Sequence, residues 1–444
     1  MQKGFRGIFF VPFFILIISQ LQAQITSVSP YSKIGVGDLY NNAYSAAQGY
    51  AGANLGFFDN TNINFLNPAS YSALDLTTFE IGFQGSSIQQ KQLNPDYLEK
   101  NGSAGLRYFA FGVPVKDWWG AAIGLQPYSF KGYSISSTTQ VVDQTVSRQT
   151  SGNGGLNQFF LGNSFEVAKG LSLGVNSSFV FGRVEESQYV IWDNSKFYNS
   201  KVQERANIRG AYFSFGGQYV HDLKDDRELG LGFTYSNSMN LNSTVGNYSY
   251  TFIGQPGFES PIDSTATSNS IDSEITLPSE FGFGISYGKR KKSLYNGNHA
   301  WVINADFHLY NGSEFKNFDG SNTNMVDGYK AELGGYFIPV ETFDRLKKSR
   351  SFGSSIQYRF GGFFEKTPYN VNNSDIMNYG MTFGMGIPVR RSNVPGVVRV
   401  NTINTGLVIG RRGTTNNGLI QETYLNFYLG LTLNDKWFIK YKYR

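Results

Sequence analysis

The sequence contains no cysteine. That excludes disulfides and thiolate metal sites, and it leaves no residue on which a lipid anchor could be built after an export signal. Beyond the first 18 residues no long apolar run occurs, which excludes a helical membrane span of about 20 apolar residues. Histidine is scarce: His221, His299 and His308 are the full set, and none is spaced with another for a metal site. Charged residues make up only 16% of the chain and the net charge of +5 is mild, so nothing points to a nucleic acid. The stretch Gly284-Ile285-Ser286-Tyr287-Gly288 matches the Gly-x-Ser-x-Gly hydrolase pattern. That pattern needs a strand-to-helix elbow, whereas here it closes a strand before a basic run. No catalytic residue and no cofactor are therefore expected.

What is present starts at the N-terminus. Lys3 and Arg6 precede an apolar run over residues 8–18, then Leu21-Gln22-Ala23. A basic start, a short apolar core and a small final residue describe a secretory signal peptide over residues 1–23, with a mature chain from near Gln24.

From residue 77 the chain becomes a train of alternating segments, the period-2 pattern of strands. Phe79, Ile81 and Phe83 alternate with Glu80, Gly82 and Gln84; Leu425, Phe427, Leu429, Leu431 and Leu433 alternate with Tyr424, Asn426, Tyr428, Gly430 and Thr432. A barrel hides its membrane signal because only alternate side chains face lipid. A mean hydropathy of −0.29 beside 28 Tyr and 38 Phe fits that arrangement, and 51 Gly and 13 Pro disfavour helices. Long polar links alternate with short turns. The long links cover residues 87–104, 138–153, 187–207, 239–276 and 311–328. The short turns cover Lys116-Asp117, Ala168-Lys169-Gly170 and residues 223–227, 289–298 and 340–351. Outer-membrane barrels place long loops outside and short turns in the periplasm. The expectation is an all-β, transmembrane antiparallel barrel over residues 77–434. It has about 14 strands, even in number when both termini are periplasmic. They start near residues 77, 105, 119, 155, 171, 207, 228, 277, 299, 329, 352, 376, 397 and 421. Residues 435–444 form an aromatic and basic tail or prolong the last strand.

Residues 24–76 differ. They are rich in Gly and aromatics and do not alternate, which suits a plug lying inside the barrel; a loose periplasmic extension is the alternative. Phe57, Phe58, Phe65 and Tyr71 are candidates for an apolar ligand pocket, or for plain packing. Pro127 interrupts an otherwise regular strand and belongs at a bulge or break, read either as an ordinary bulge or as a kink that opens the wall sideways.

At Asn67-Pro68-Ala69-Ser70 the chain resembles the FadL-type family of outer-membrane transporters for long-chain fatty acids and aromatic hydrocarbons. Residues 119–133, 156–183 and 358–388 look like further stretches of that family in the same order. Leu277-Pro278 with Gly284, Tyr287, Trp301 and Asp306 is similar to its signature. The style of Ser29-Pro30-Tyr31-Ser32 and of the tail looks like Bacteroidota barrels. The resemblance implies a monomeric 14-stranded barrel whose plug ends at Asn67, Pro68 and Ala69 as a mobile gate. A hydrophobic ligand would bind inside and leave sideways into the bilayer at Pro127, with no metal and no chemical step. A second reading is a non-transporting barrel subunit of a protein secretion or assembly machine. Lys289, Arg290, Lys291, Lys292, Arg345, Lys347, Lys348, Arg350, Arg390, Arg391, Lys440, Lys442 and Arg444 fall on the periplasmic side of this topology. They serve either as a solvated rim against lipid headgroups or as a docking face for an acidic protein partner.

Overall fold

Alternation along each strand decides the architecture. On β18 (Ile420–Asp435), Glu422, Tyr428, Thr432 and Asn434 are buried while Leu425, Phe427, Leu429 and Leu433 stay exposed. One face of the strand therefore meets a filled interior and the other an apolar surround. The same two-faced pattern recurs on every wall strand. Exposed Phe83, Ile123, Leu125, Phe159, Leu161, Phe179, Leu231, Phe283, Ile303, Leu333, Phe360 and Leu407 form an outer apolar belt. In water such a belt would be an aggregation surface; against acyl chains it is the lipid face of a barrel.

The computed structural model describes residues 29–40, 43–93, 96–141, 143–194, 196–267, 270–290, 299–323, 325–339, 353, 356–391 and 400–435. The expected signal peptide, the tail beyond residue 435 and most of the expected basic rim lie outside these residues. The strands are β1 (Asp38–Leu39), β2 (Thr77–Gln92), β3 (Tyr97–Lys116), β4 (Trp119–Val141), β5 (Gln144–Ala168), β6 (Leu171–Trp192), β7 (Asn199–Asp222), β8 (Arg227–Ser236), β9 (Met239–Gln255), β10 (Phe258–Thr267), β11 (Ile271–Leu277), β12 (Glu280–Arg290), β13 (His299–Tyr310), β14 (Gly328–Phe337), β15 (Gln357–Val371), β16 (Ser374–Arg391), β17 (Val400–Arg412) and β18.

Neighbours in sequence pair antiparallel, and β18 returns to β2 in continuous register from Ile420↔Gln92 to Asp435↔Thr77. That pairing closes the sheet and removes its edges at this seam. β8 pairs directly with β12, Glu280↔Ser236 through Lys289↔Arg227. The wall thus has 14 staves, seven from β2 to β8 and seven from β12 to β18. Between them β9, β10 and β11 rise as a separate extension at the long-loop end. β9 pairs with the upper part of β7, Asn199↔Phe252 to Arg209↔Asn242, and carries β10 and β11 on its other side.

The short turns at Lys116-Asp117, Ala168-Lys169-Gly170 and residues 223–227 follow the sequence expectation, with Gly170 at φ +74° and Asp225 at φ +61°. Those expected over 289–298 and 340–351 lie outside the described residues apart from Lys289 and Arg290, which end β12. Of the long links, residues 311–328 are loop as expected, up to the start of β14 at Gly328, and the other four are not. Residues 87–104, 138–153, 187–207 and 239–276 were expected as loops; they are mostly strand, so β3, β5 and β7 begin at 97, 144 and 199. On β4 the reason is solvent on both faces: above the apolar belt every residue from Ser134 to Val141 is exposed. A strand with no buried face carries no alternation to read.

Candidate functional site

The N-terminal segment, residues 29–76, runs along the inner wall. It contains β1, a one-turn helix α1 (Ser45–Gln48) and a 3-10 turn over Pro68–Ala73. Inward-facing side chains tie it down around the circumference. Asp306 Oδ2 accepts the backbone N–H groups of Asn54 (2.6 Å) and Leu55 (2.8 Å). Glu80 accepts Ile63 N–H at 3.0 Å and the Tyr108 hydroxyl at 3.1 Å. Thr382 accepts Ala51 N–H and donates to the Gly49 carbonyl. Arg412 reaches Asp38 at 3.0 Å and Glu422 at 2.7 Å. Inward glycines let backbone lie against backbone. A methyl added at Gly120 would stand 1.9 Å from the Tyr71 carbonyl oxygen, and one at Gly334 would stand 2.3 Å from that of Tyr50.

Asn67, Pro68 and Ala69 form the start of the 3-10 turn. Asn67 caps it by accepting Ala69 N–H at 3.1 Å and donates to the carbonyls of Leu55 (2.8 Å) and Gly217 (3.2 Å). Pro68 fills the first turn position, where its missing N–H costs nothing. Ser70 donates back to the Asn67 carbonyl at 2.8 Å.

The wall is split beside this segment. Among the described residues, β3 and β4 pair only from Lys116↔Trp119 up to Phe109↔Leu125. Above that level β3 holds β2 and β4 holds β5, with no ladder pair between β3 and β4. Both strands bulge where they part. β4 shifts register between Pro127 and Ser129, and β3 shifts opposite Gly82 and Phe83, so that Arg107 is the extra residue. Pro127 explains the first bulge, since it has no N–H to give to a ladder. The gap is partly filled by β1, which pairs Asp38↔Phe130 and Leu39↔Ser129 on the vacated edge of β4. Gly37, at φ +100°, makes that approach feasible: a side chain there would meet the Phe130 carbonyl.

Behind the split lies a cavity of about 360 Å³. Its lining is mixed. Leu39, Phe65, Leu66 and Phe130 contribute, but so do Arg107, Glu280, His308, Lys330, Glu332, Arg412 and Glu422. Arg107 lies over the rings of Tyr40 (4.8 Å) and Tyr428 (5.0 Å) and donates to Gln84. Of the four candidate aromatics only Phe65 lines this cavity. Phe57 packs edge-on against His299 and Tyr336, Phe58 is half-buried, and Tyr71 donates to Asn176 at 2.9 Å. Charged residues at the inward phase of a strand were the readable signal for a polar lumen.

The six signature residues divide into three roles. Gly284 faces Asp306 and the turn at Leu55 and Gly56; a methyl there would lie 2.5 Å from Asp306 Oδ1. Tyr287 and Trp301 meet edge to face at 5.5 Å on the outer surface, where amphipathic rings suit a lipid headgroup boundary. Leu277 is buried, and Pro278 follows it in the break between β11 and β12.

Three further sequence readings meet the structure here. Ser286 sits mid-strand on β12, so the hydrolase pattern lacks its elbow. Arg290 of the basic rim is paired with Asp222 at 3.0 Å and with Glu228, so it is not a free docking cation. His308, isolated in sequence, is brought together with Asp306 and Glu332 as a buried group able to ligate a cation. Glu332 arrives through the register of β13 with β14, which no local spacing reveals.

No curated protein matches the chain. Solved structures of similar fold include a FadL homologue of Pseudomonas aeruginosa, with TM-score 0.53 and 13% identity over 89% of this chain and 98% of that one. The toluene transporter TodX of Pseudomonas putida has TM-score 0.52 and 13% identity over 90% and 100%. The Ralstonia pickettii toluene transporter TbuX has TM-score 0.51 and 12% identity over 88% and 98%. At these identities the likeness is one of fold. The family model named BamG matches residues 5–444, and with a match over that length the chain belongs to the BamG family.

Proposed function

We propose that this barrel is an exported outer-membrane protein that passes hydrophobic molecules, long-chain fatty acids or similar, by passive diffusion. The observation that carries the reading is the unpaired stretch of wall above Phe109 and Leu125, with a cavity directly behind it. A closed ladder has no reason to open there unless something crosses sideways, since unpaired backbone in a membrane costs several kcal/mol per group, roughly. In this reading residues 29–76 are the plug and Asn67, Pro68 and Ala69 its hinge at the wall. Pro127 keeps the opening from zipping shut. The polar lining is compatible with an amphiphile whose charged head meets Arg107 while its tail leaves through the gap. Likeness of fold to a FadL homologue and to toluene transporters supports the reading.

A second reading is a non-transporting subunit of an outer-membrane protein secretion or assembly machine. The charged hydrogen bonds that fasten residues 29–76 around the circumference, through Asp306, Glu80 and Arg412, favour it. So does a lumen lined by ion pairs in place of hydrocarbon. The deciding experiment pairs two measurements. Uptake of a labelled long-chain fatty acid by cells with and without the chain reads transport. Mild-detergent purification from native membranes reads a lone monomer or stoichiometric partners. Uptake that depends on the chain supports the first reading; no dependence, with partners in fixed ratio, supports the second.

A further inference from the structure

Asp306 and His308 stand two residues apart on the inward face of β13, and Glu332 lies directly across from Asp306 on β14. All three are buried, and one ligand atom from each lies within 4.8 Å of the others. Asp306 and Glu332 each have their other oxygen held by a different neighbour, and His308 Nδ1 lies beside a carboxylate without a hydrogen bond to it. Asp306 Oδ2 is held by the N–H groups of Asn54 and Leu55, while its Oδ1 is buried with no hydrogen-bond partner. His308 turns Nδ1 toward Glu280 Oε1 at 3.4 Å and Nε2 toward Glu332 Oε2 at 3.7 Å. Glu332 gives its other oxygen to the Lys330 ammonium.

We propose that Asp306 Oδ1, His308 Nε2 and Glu332 Oε2 together bind one divalent transition-metal ion, with Zn2+ as the ion best suited. One imidazole and two carboxylates are borderline-hard donors that suit Zn2+ over calcium or magnesium. Glu280, 3.4 Å from the far nitrogen of His308, stands where the carboxylate of a carboxylate–histidine–metal arrangement belongs, the usual device for orienting such a ligand. Lys330 does the same for Glu332, and the segment backbone does it for Asp306. Charge supports the assignment. The buried Asp306 and Glu332 and the part-exposed Glu280 carry three negative charges against Lys330 and, at most, a protonated His308, leaving a net negative charge at the cavity wall. A divalent ion with neutral His308 brings the five groups to balance. His308 and Glu332 also line the cavity, so a fourth position opens toward it, where water or a ligand group would complete the shell. Because one carboxylate would touch both the ion and the backbone of Asn54 and Leu55, the metal would fasten residues 29–76 to the wall.

The test uses the full mature chain, purified with a tag that contains no histidine and stripped with a chelator. Zn2+ is titrated by calorimetry, and metal content is measured after desalting. About one Zn2+ per chain is expected, with affinity at least tenfold lower in His308→Gln and in Glu332→Gln. Glu280→Gln, which removes no ligand, should weaken binding about 10- to 100-fold. Bound Co2+ should show the intense visible absorption of a low-coordinate site. Barrel folding of each variant is read from heat-dependent mobility on gels; if a ligand variant does not fold, Glu280→Gln and the Co2+ spectrum decide. Zn2+ uptake that is absent, or unchanged in His308→Gln and Glu280→Gln, or a Co2+ spectrum no different from the hydrated ion, overturns the proposal and leaves His308 as a protonated partner of two carboxylates.

Discussion

Gly232 on β8 and Leu55 of the N-terminal segment are in backbone contact: a methyl group at Gly232 would stand 2.0 Å from the Leu55 carbonyl oxygen. The inner wall is therefore shaped to a backbone and not to side chains. Gly232→Val should unseat this stretch while leaving the staves paired, because position 232 keeps its ladder partners Gln218 and Gly284. Overpacking of this kind costs about 1–3 kcal/mol or more. Faster proteolysis within residues 43–66, with unchanged heat-dependent mobility of the barrel, is the expected result. Equal cleavage rates in the two proteins would show that the contact is dispensable.

Glu80 offers a second handle on the same segment. Glu80→Leu leaves Ile63 N–H without its side-chain acceptor and takes one partner from the Tyr108 hydroxyl. A buried donor left unsatisfied costs about 1–3 kcal/mol. The midpoint of thermal unfolding in detergent should fall by several degrees, and Glu80→Gln, which keeps an acceptor, should recover part of the loss.

Arg412 is half-buried between Asp38 and the buried Glu422. Removing one member of a fully buried ionic set costs about 3–5 kcal/mol, and a smaller cost is expected here. Arg412→Met should therefore release β1 from β4 more readily than Lys366→Met, which breaks a more exposed pair with Asp375. Hydrogen exchange at Leu39 and Tyr40 reads the difference directly.

The absence of native cysteine makes the β1–β4 contact open to a clean lock. Leu39 and Ser129 are direct partners, and paired antiparallel residues have Cα atoms about 4.5–5.5 Å apart, within the reach of a disulfide. If ligand leaves through the split, Leu39→Cys with Ser129→Cys should reduce fatty-acid uptake under oxidising conditions and recover it with reductant. Unaltered uptake by the oxidised pair would mean that β1 need not move.

Pro127→Val restores the backbone donor that β4 lacks at its bulge. The ladder with β3 should then extend above Phe109↔Leu125, and uptake should slow by several-fold. Full uptake by that variant in a knockout strain would remove Pro127 from any gating role.

Much of this architecture is written in the sequence because lipid enforces a strict period. Phe79, Ile81 and Phe83 could be assigned to the outer face from their spacing, and the number of staves followed from the turns. Three features escaped for separate physical reasons. The top of β4 is wet on both faces, so residues such as Ser136, Ser137, Thr138 and Thr139 look like loop. The split needed Pro127 and Arg107 to be seen at the same height on different strands, which sequence order cannot supply. The meeting of His308 with Glu332 depends on the register across β13 and β14. The inward glycines Gly120, Gly232 and Gly334 are visible in the sequence, but nothing local says that a second backbone lies against them.

The uneven heights of the staves have a consequence for whatever reaches the cell surface. β5 has 25 residues and β7 has 24, whereas β13 has 12 and β14 has 10. A strand crosses the hydrocarbon with about 9–11 residues, so at about 3.3 Å per residue β5 has some 45 Å of length to spare. One flank of the rim stands like a parapet and the other lies nearly flush with the bilayer. An antibody raised to the crest at residues 254–258 should therefore bind intact cells through a sugar coat that hides the low turn at Asn372 and Asn373.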